Sequence, residues 1–198
     1  RNGLFQLREL ASACKGMETS GITLCTGTRD PEDKWRRHPD NNSKGAWNDL
    51  VLSMEKALEI AQEFMVTLAI EPEVSNVVNS AKKCRCLLNE MQSSHLKVIM
   101  DGANLFHTGE LPRMREVLSD AFELLGHDII IAHAKDLDRN GAAGNIAAGK
   151  GGLDYNCYLS LFQKAGFNGP LILHGLGEDE VTESVAFLRK KLRERKIS

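Results

Sequence analysis

Four side chains stand where an apolar run stops: Glu71, Asp101, His133 and His174. They end or closely follow the apolar parts of "LAIEPE" (Leu68 to Glu73), "VIMDGANLF" (Val98 to Phe106), "IAHAKD" (Ile131 to Asp136) and "GPLILHGL" (Gly169 to Leu176). A lone Asp at a strand tip is a turn former, and a lone His there is more often a hydrogen-bonded core residue. Two carboxylates and two imidazoles on successive tips offer more. Converging, they present anionic oxygens and neutral nitrogens to one divalent metal ion. That donor set leans toward Mn²⁺ or Zn²⁺, with Mg²⁺ and Co²⁺ open. Glu73 is an alternative to Glu71, since strand alternation puts both on one face.

The elements that must position these residues follow from hydropathy. Five strand-like runs cover Gly21 to Thr28, Phe64 to Glu73, Leu96 to Leu105, His127 to Asp136 and Gly169 to Leu176. Their nearly unbroken apolar character predicts strands buried on both faces, as in a parallel sheet. Between them lie amphipathic stretches. Trp47 to Phe64 places Leu50, Met54, Leu58 and Ala61 on one stripe at helical spacing. Leu111 to Gly126 opens with Pro112 and closes with a glycine, an order typical of a helix. Tyr155 to Gly166 and Asp179 to Leu192 repeat the theme, and Leu4 to Met17 predicts a helix before the first strand. The class is α/β with parallel strands. A doubly wound sheet and a TIM barrel both fit the alternation. Reactive residues at the C-terminal ends of several strands favour the barrel.

Bulk properties narrow the function classes. The chain has 198 residues, 42% of them hydrophobic, and a net charge of −2. That suits one globular domain over residues 1–198. No long basic tract interleaved with aromatics argues for nucleic acid. The densest basic run, Arg189 to Lys196, reads as the solvated end of a last helix. Five cysteines, odd in number and without a CxxC pair, read as reduced thiols of a cytoplasmic protein. No apolar run approaches the roughly 20 residues of a membrane span, and no secretory signal is visible.

The motifs "LAIEPE", "IMDGANLF", "IAHAKD" and "GGLDYNCYLSLFQKAGFNGPLILHGL" together resemble the xylose-isomerase-like TIM-barrel superfamily. It includes sugar-phosphate isomerases and epimerases, ketose 3-epimerases, inosose dehydratases and apurinic endonucleases. The resemblance runs from about Gly21 to Leu192. It implies a (β/α)8 barrel of which this chain carries about five C-terminal βα units, a partial barrel whose first three strands are missing. Such a piece leaves open sheet edges that a second copy could cover, so a homo-oligomer is possible.

By the resemblance, Glu71, Asp101 and His133 match three family metal ligands, and His174 stands where a Glu is usual. Asn104 falls where many relatives hold a substrate-contacting His, and Arg139 where ketose epimerases keep an Arg near substrate oxygens. Val77 takes the place of a second substrate-binding Glu, which argues against a close ketose 3-epimerase. Lys150 is a candidate for binding an anionic substrate group, and His38, with Trp35, a candidate for the pocket mouth. Lys135 and Asp136 form a possible strand-end ion pair. The implied activity is that of a metal-dependent sugar or polyol isomerase or epimerase. Glu71 would be its proton-abstracting base. An inosose-type dehydratase or a non-catalytic metal- or sugar-binding module are the alternatives. A DNA-repair endonuclease fits less well, because the chain lacks the surplus of ligands and the basic groove that enzyme needs.

Overall fold

A computed structural model of the chain describes residues 2–107, 109–138 and 146–196. It divides into two compact units, Arg1–Ile99 and Met100–Ser198.

The first unit opens with helix α1 (Asn2–Cys14) and strand β1 (Gly21–Leu24), followed by α2 (Lys44–Phe64), β2 (Thr67–Ile70), α3 (Ala81–Met91) and most of β3 (Leu96–Asp101). β1 pairs β2, and β2 pairs β3, all parallel. Leu68, Ala69, Ile70 and Val98 are completely buried, as expected of strands covered on both faces. Ser43 caps α2 by accepting from the Ala46 amide at 3.1 Å. Its buried stripe is Ala46, Leu50, Met54, Ala57 and Ala61, with Ile60 beside it. The steps of four, four, three and four follow the 3.6-residue period, which turns Leu58 only partly inward. Helix α3 has no counterpart among the amphipathic stretches above. Its buried face is only Cys84, Leu87 and Leu88, too few to stand out in hydropathy. Its start is nonetheless marked by Ser80, which accepts from Lys83 N at 3.3 Å.

The long connection after β1 is built in. Asp30 accepts from the Glu32 and Asp33 amides, both at 2.9 Å, and from the Arg36 guanidinium. Arg36 is the chief reason its carboxyl lies well below the usual range. Buried Asn41 accepts from Arg29 N at 2.6 Å and donates to Ser75 O at 2.7 Å.

The second unit takes the end of β3 and continues with α4 (Met114–Leu125), β4 (Ile129–Asp136), β5 (Ile146–Ala147), α5 (Tyr155–Lys164), β6 (Leu171–Leu173) and α6 (Val181–Lys196). β4 pairs β6 in parallel and the two-residue β5 antiparallel. Ile172 in β6 is 43% exposed, so this strand departs from burial on both faces. Gly126 caps α4 with an ordinary right-handed φ of −49°. Its role is close packing, since a Cβ there would lie 3.1 Å from the Ala165 Cβ. All five cysteines are free thiols. Among the described residues no helix is long and apolar enough to cross a membrane.

Candidate metal centre

Asp101 is the last residue of β3, and its two carboxylate oxygens have separate roles. Oδ1 accepts from the Ala103 amide at 2.9 Å and starts the 3₁₀ turn Gly102–Leu105. That is the ordinary turn duty of a strand-end Asp. Oδ2 is buried and accepts no hydrogen bond. Facing it are His133 Nδ1 at 3.5 Å, Lys135 Nζ at 3.4 Å and His174 Nδ1 at 3.9 Å. Burial pushes the Asp101 carboxyl up. The His133 imidazole, the Lys135 ammonium and the Ala103 amide together outweigh it and hold the group below the usual carboxylate range. The site therefore keeps a desolvated anion.

The two histidines come from paired strands. His133 lies within β4 opposite Ile172 of β6, and His174 follows β6 directly. The His174 amide extends the ladder by donating to Ala134 O at 3.2 Å. The rings stack with centroids 4.6 Å apart and planes 11° from parallel. His133 is 12% exposed at its side chain, His174 48%. One ligand atom each from Asp101, His133 and His174 lie within 4.8 Å of one another. A divalent ion fits this set: a buried carboxylate oxygen, with no well-formed hydrogen bond, faces two imidazole nitrogens at a spacing that bonds of about 2.0–2.2 Å can close.

Lys135 belongs to the same cluster. It is two residues after His133 on the same strand face, and its ammonium donates to Asn104 Oδ1 at 2.7 Å. Asn104 thus sits against the centre through Lys135. Asp136 does not pair with Lys135, because adjacent strand residues point to opposite faces. Its carboxylate instead accepts from Leu137 N at 3.0 Å, Gly149 N at 3.0 Å and Leu153 N at 2.8 Å. Gly151 makes this possible, as a Cβ there would lie 2.3 Å from Leu137 O.

Lys150 pairs with Glu180 at 3.1 Å and Glu183 at 3.2 Å. Arg139 falls outside the described residues. Glu71 and His38 belong to the first unit. His38 Nδ1 accepts from Asp40 N at 3.3 Å and caps the turn Pro39–Asn42, while Trp35 is 56% exposed. Glu71 directly follows β2. Partial desolvation of the sulfur, in a residue that is exposed as a whole, and the Glu71 charge push the nearby Cys25 thiol up. Glu73 is occupied within its own loop, accepting from Ser75 N at 3.1 Å, Asn76 Nδ2 at 2.6 Å and the Ser75 hydroxyl.

Tyr155 and Tyr158, on α5, reach backbone atoms of the ligand-bearing strands. Burial, reinforced by the charges of Asp136 and Asp101, pushes the Tyr155 phenol far up, so it stays a donor. Only their one-turn spacing on an amphipathic stretch hinted at these two.

None of the curated proteins compared matches this chain. Among solved structures, a xylose isomerase domain protein from Planctomyces limnophilus is similar with a TM-score of 0.72 and 18% identity, over 97% of this chain and 64% of that one. 3-Keto-D-glucoside 4-epimerase from E. coli gives 0.68 and 20%, over 96% and 71%. An IolI protein solved with a zinc atom bound gives 0.67 and 17%, over 96% and 67%. At these identities the likeness is one of fold, and the chain spans about two thirds of each structure's length. A family pattern described as a xylose isomerase-like TIM barrel matches residues 2–191. Matched over nearly its whole length, the chain belongs to the xylose isomerase-like TIM barrel family.

Proposed function

We propose that the chain is a metal-dependent isomerase or epimerase of a small sugar or polyol, acting by proton abstraction beside a carbonyl. The observation that carries this is the buried Asp101 oxygen, which accepts no hydrogen bond and faces His133 and His174. These three residues would hold the ion, Mn²⁺ or Zn²⁺ before Mg²⁺ or Co²⁺. A similar fold solved with zinc bound, and another that is a 3-keto-D-glucoside 4-epimerase, support the assignment. Bound there, a divalent ion supplies Lewis acidity toward carbonyl and hydroxyl oxygens.

The chain's own groups do the rest. Glu71 is assigned as proton-abstracting base and fourth ligand, on the strength of the family resemblance and its place at the tip of β2. Glu73 is a poorer base because its loop amides and hydroxyl already occupy it. By the family resemblance, Asn104 and Arg139 are assigned to substrate oxygens, Lys150 to an anionic substrate group and His38 to the pocket mouth. Lys135 places a fixed positive charge beside the centre, suited to an oxygen that gains negative charge as the proton leaves.

The test is incubation of the Mn²⁺- or Zn²⁺-loaded protein with a panel of ketoses and ketopolyols in D₂O. Proton NMR follows exchange at the carbon next to the carbonyl. Exchange that disappears in Asp101→Asn supports the assignment. Tight metal binding without exchange on any member points instead to a binding module.

A further inference from the structure

We infer that Tyr158 is the positioning residue of the metal triad: its hydroxyl ties the backbone on both sides of Asp101 to the backbone of His133. The inference rests on the metal assignment above and concerns how this chain holds its ligands.

Tyr158 is wholly buried on α5. Its hydroxyl lies 2.8 Å from Met100 O and 3.1 Å from His133 O, and accepts from Gly102 N at 3.1 Å. A hydroxyl has one proton and two lone pairs. Its proton serves the two carbonyls, and a lone pair takes the Gly102 amide. Met100 and Gly102 flank Asp101, and His133 is itself a ligand residue. One oxygen atom thus joins the backbone of two of the three ligand positions.

The ring is as tightly held as the hydroxyl. A Cβ on Gly102 would lie 2.9 Å from Tyr158 Cε2, so only glycine lets the ring lie against this turn. Phe122 and Phe162 meet the ring at 80° and 66°, with centroids 5.9 and 4.8 Å away. Tyr155, one turn earlier on the same helix face, donates to Lys135 O at 2.9 Å. Two phenols therefore grip alternate carbonyls of β4, at His133 and Lys135. Metal affinity depends on ligand positions good to about 0.2 Å. Partners that orient ligands from outside the coordination sphere typically weigh about 10–100-fold in affinity.

The experiment measures Mn²⁺ and Zn²⁺ affinity by isothermal titration calorimetry for wild type, Tyr158→Phe, Gly102→Ala and Phe122→Leu. Circular dichroism confirms that each is folded. Tyr158→Phe removes only the hydroxyl and keeps the aromatic packing. Gly102→Ala keeps the hydroxyl but displaces the ring. Phe122→Leu loosens the same aromatic cluster without touching the tie. The expected result is a loss of about 10–100-fold in Tyr158→Phe, a loss in Gly102→Ala, and near wild-type affinity in Phe122→Leu despite a lower Tm. Wild-type affinity in Tyr158→Phe overturns the inference alone. An equal loss in Phe122→Leu also overturns it, since general loosening would then suffice. A wild-type protein that takes up neither ion overturns the metal assignment and this inference with it.

Discussion

The Lys135 ammonium lies 3.4 Å from Asp101 Oδ2, the same oxygen that faces both imidazoles. A monovalent cation is therefore built into the coordination neighbourhood of a divalent one. Without metal it balances the buried carboxylate, and with metal its charge opposes the ion.

Lys135→Met separates the two effects. Removing one partner of a buried pair costs about 3 kcal/mol or more, so the metal-free protein should melt earlier. Divalent affinity should rise, because a like charge has gone. Excess Mn²⁺ or Zn²⁺ should then restore much of the lost stability, by mass action. Thermal melts with and without metal check this. Lower metal affinity in the variant would show that Lys135 supports the ligands rather than opposing the ion.

Asp101→Asn separates the turn from the ligand. The amide oxygen can still accept from Ala103 N, as Oδ1 does now at 2.9 Å. Secondary structure by circular dichroism should be preserved. Calorimetric metal binding should disappear, since the neutral amide replaces the only buried anion among the three ligands. A variant that unfolds would assign Asp101 mainly to the turn.

Much of this arrangement was legible because strand tips and ligands share one rule. An apolar run that stops on Asp101 or His174 marks both the strand and the side chain at its tip, whereas β4 continues past His133 to Asp136. What sequence hid is who meets whom. Lys135 and Asp136 are neighbours in the chain and look like a pair. The pleat sends one to Asn104 and the other to the Gly149 and Leu153 amides. Gly126 closes a helix as its place in the sequence suggests, but it does so with a right-handed φ and as a contact point for Ala165. Tyr158 reads as one more helical core residue. Nothing in its local pattern tells that its hydroxyl spans Met100, Gly102 and His133, residues 25 to 58 positions away.

The two glutamates after β2 should behave differently. Glu71→Gln should lower turnover about 10²–10⁴-fold if it supplies the base, with little change in Tm. Glu73→Ala should instead destabilise the first unit by roughly 1–3 kcal/mol, because Ser75 N and Asn76 Nδ2 lose the one carboxylate oxygen that accepts from both. Exchange rates in D₂O and thermal melts of both variants decide it. Full turnover of Glu71→Gln at full metal occupancy would remove Glu71 as the base.

Metal affinity should fall with pH in a definite window. An imidazole must be neutral to bind, and its ordinary value is about 6.5. Two imidazoles should give a slope approaching two protons below that pH. Asp101 contributes nothing there, because its carboxyl stays ionised below the usual carboxylate value of about 3.9. Its depressed value instead stabilises the fold above about pH 3.9, a contribution lost as pH falls through the folded value. Calorimetric titrations between pH 5 and pH 8, by design of the experiment, should show the two-proton limb.

His174→Glu turns that slope into a tool. The His174 side chain is 48% exposed, so a carboxylate there stays largely solvated and the fold should tolerate it. The stacked contact with His133 is lost, but its 4.6 Å spacing is a surface contact on the His174 side. The new ligand set has one imidazole and one more oxygen. Oxygen ligands suit Mg²⁺ and Mn²⁺, and imidazole suits Zn²⁺. The Mn²⁺-to-Zn²⁺ affinity ratio should therefore rise, and the low-pH limb should relax from two protons toward one. Competition calorimetry with both ions at several pH values measures the two changes together. If the ratio and the slope both stay at wild-type values, His174 is not a ligand, and the centre must be completed by another residue.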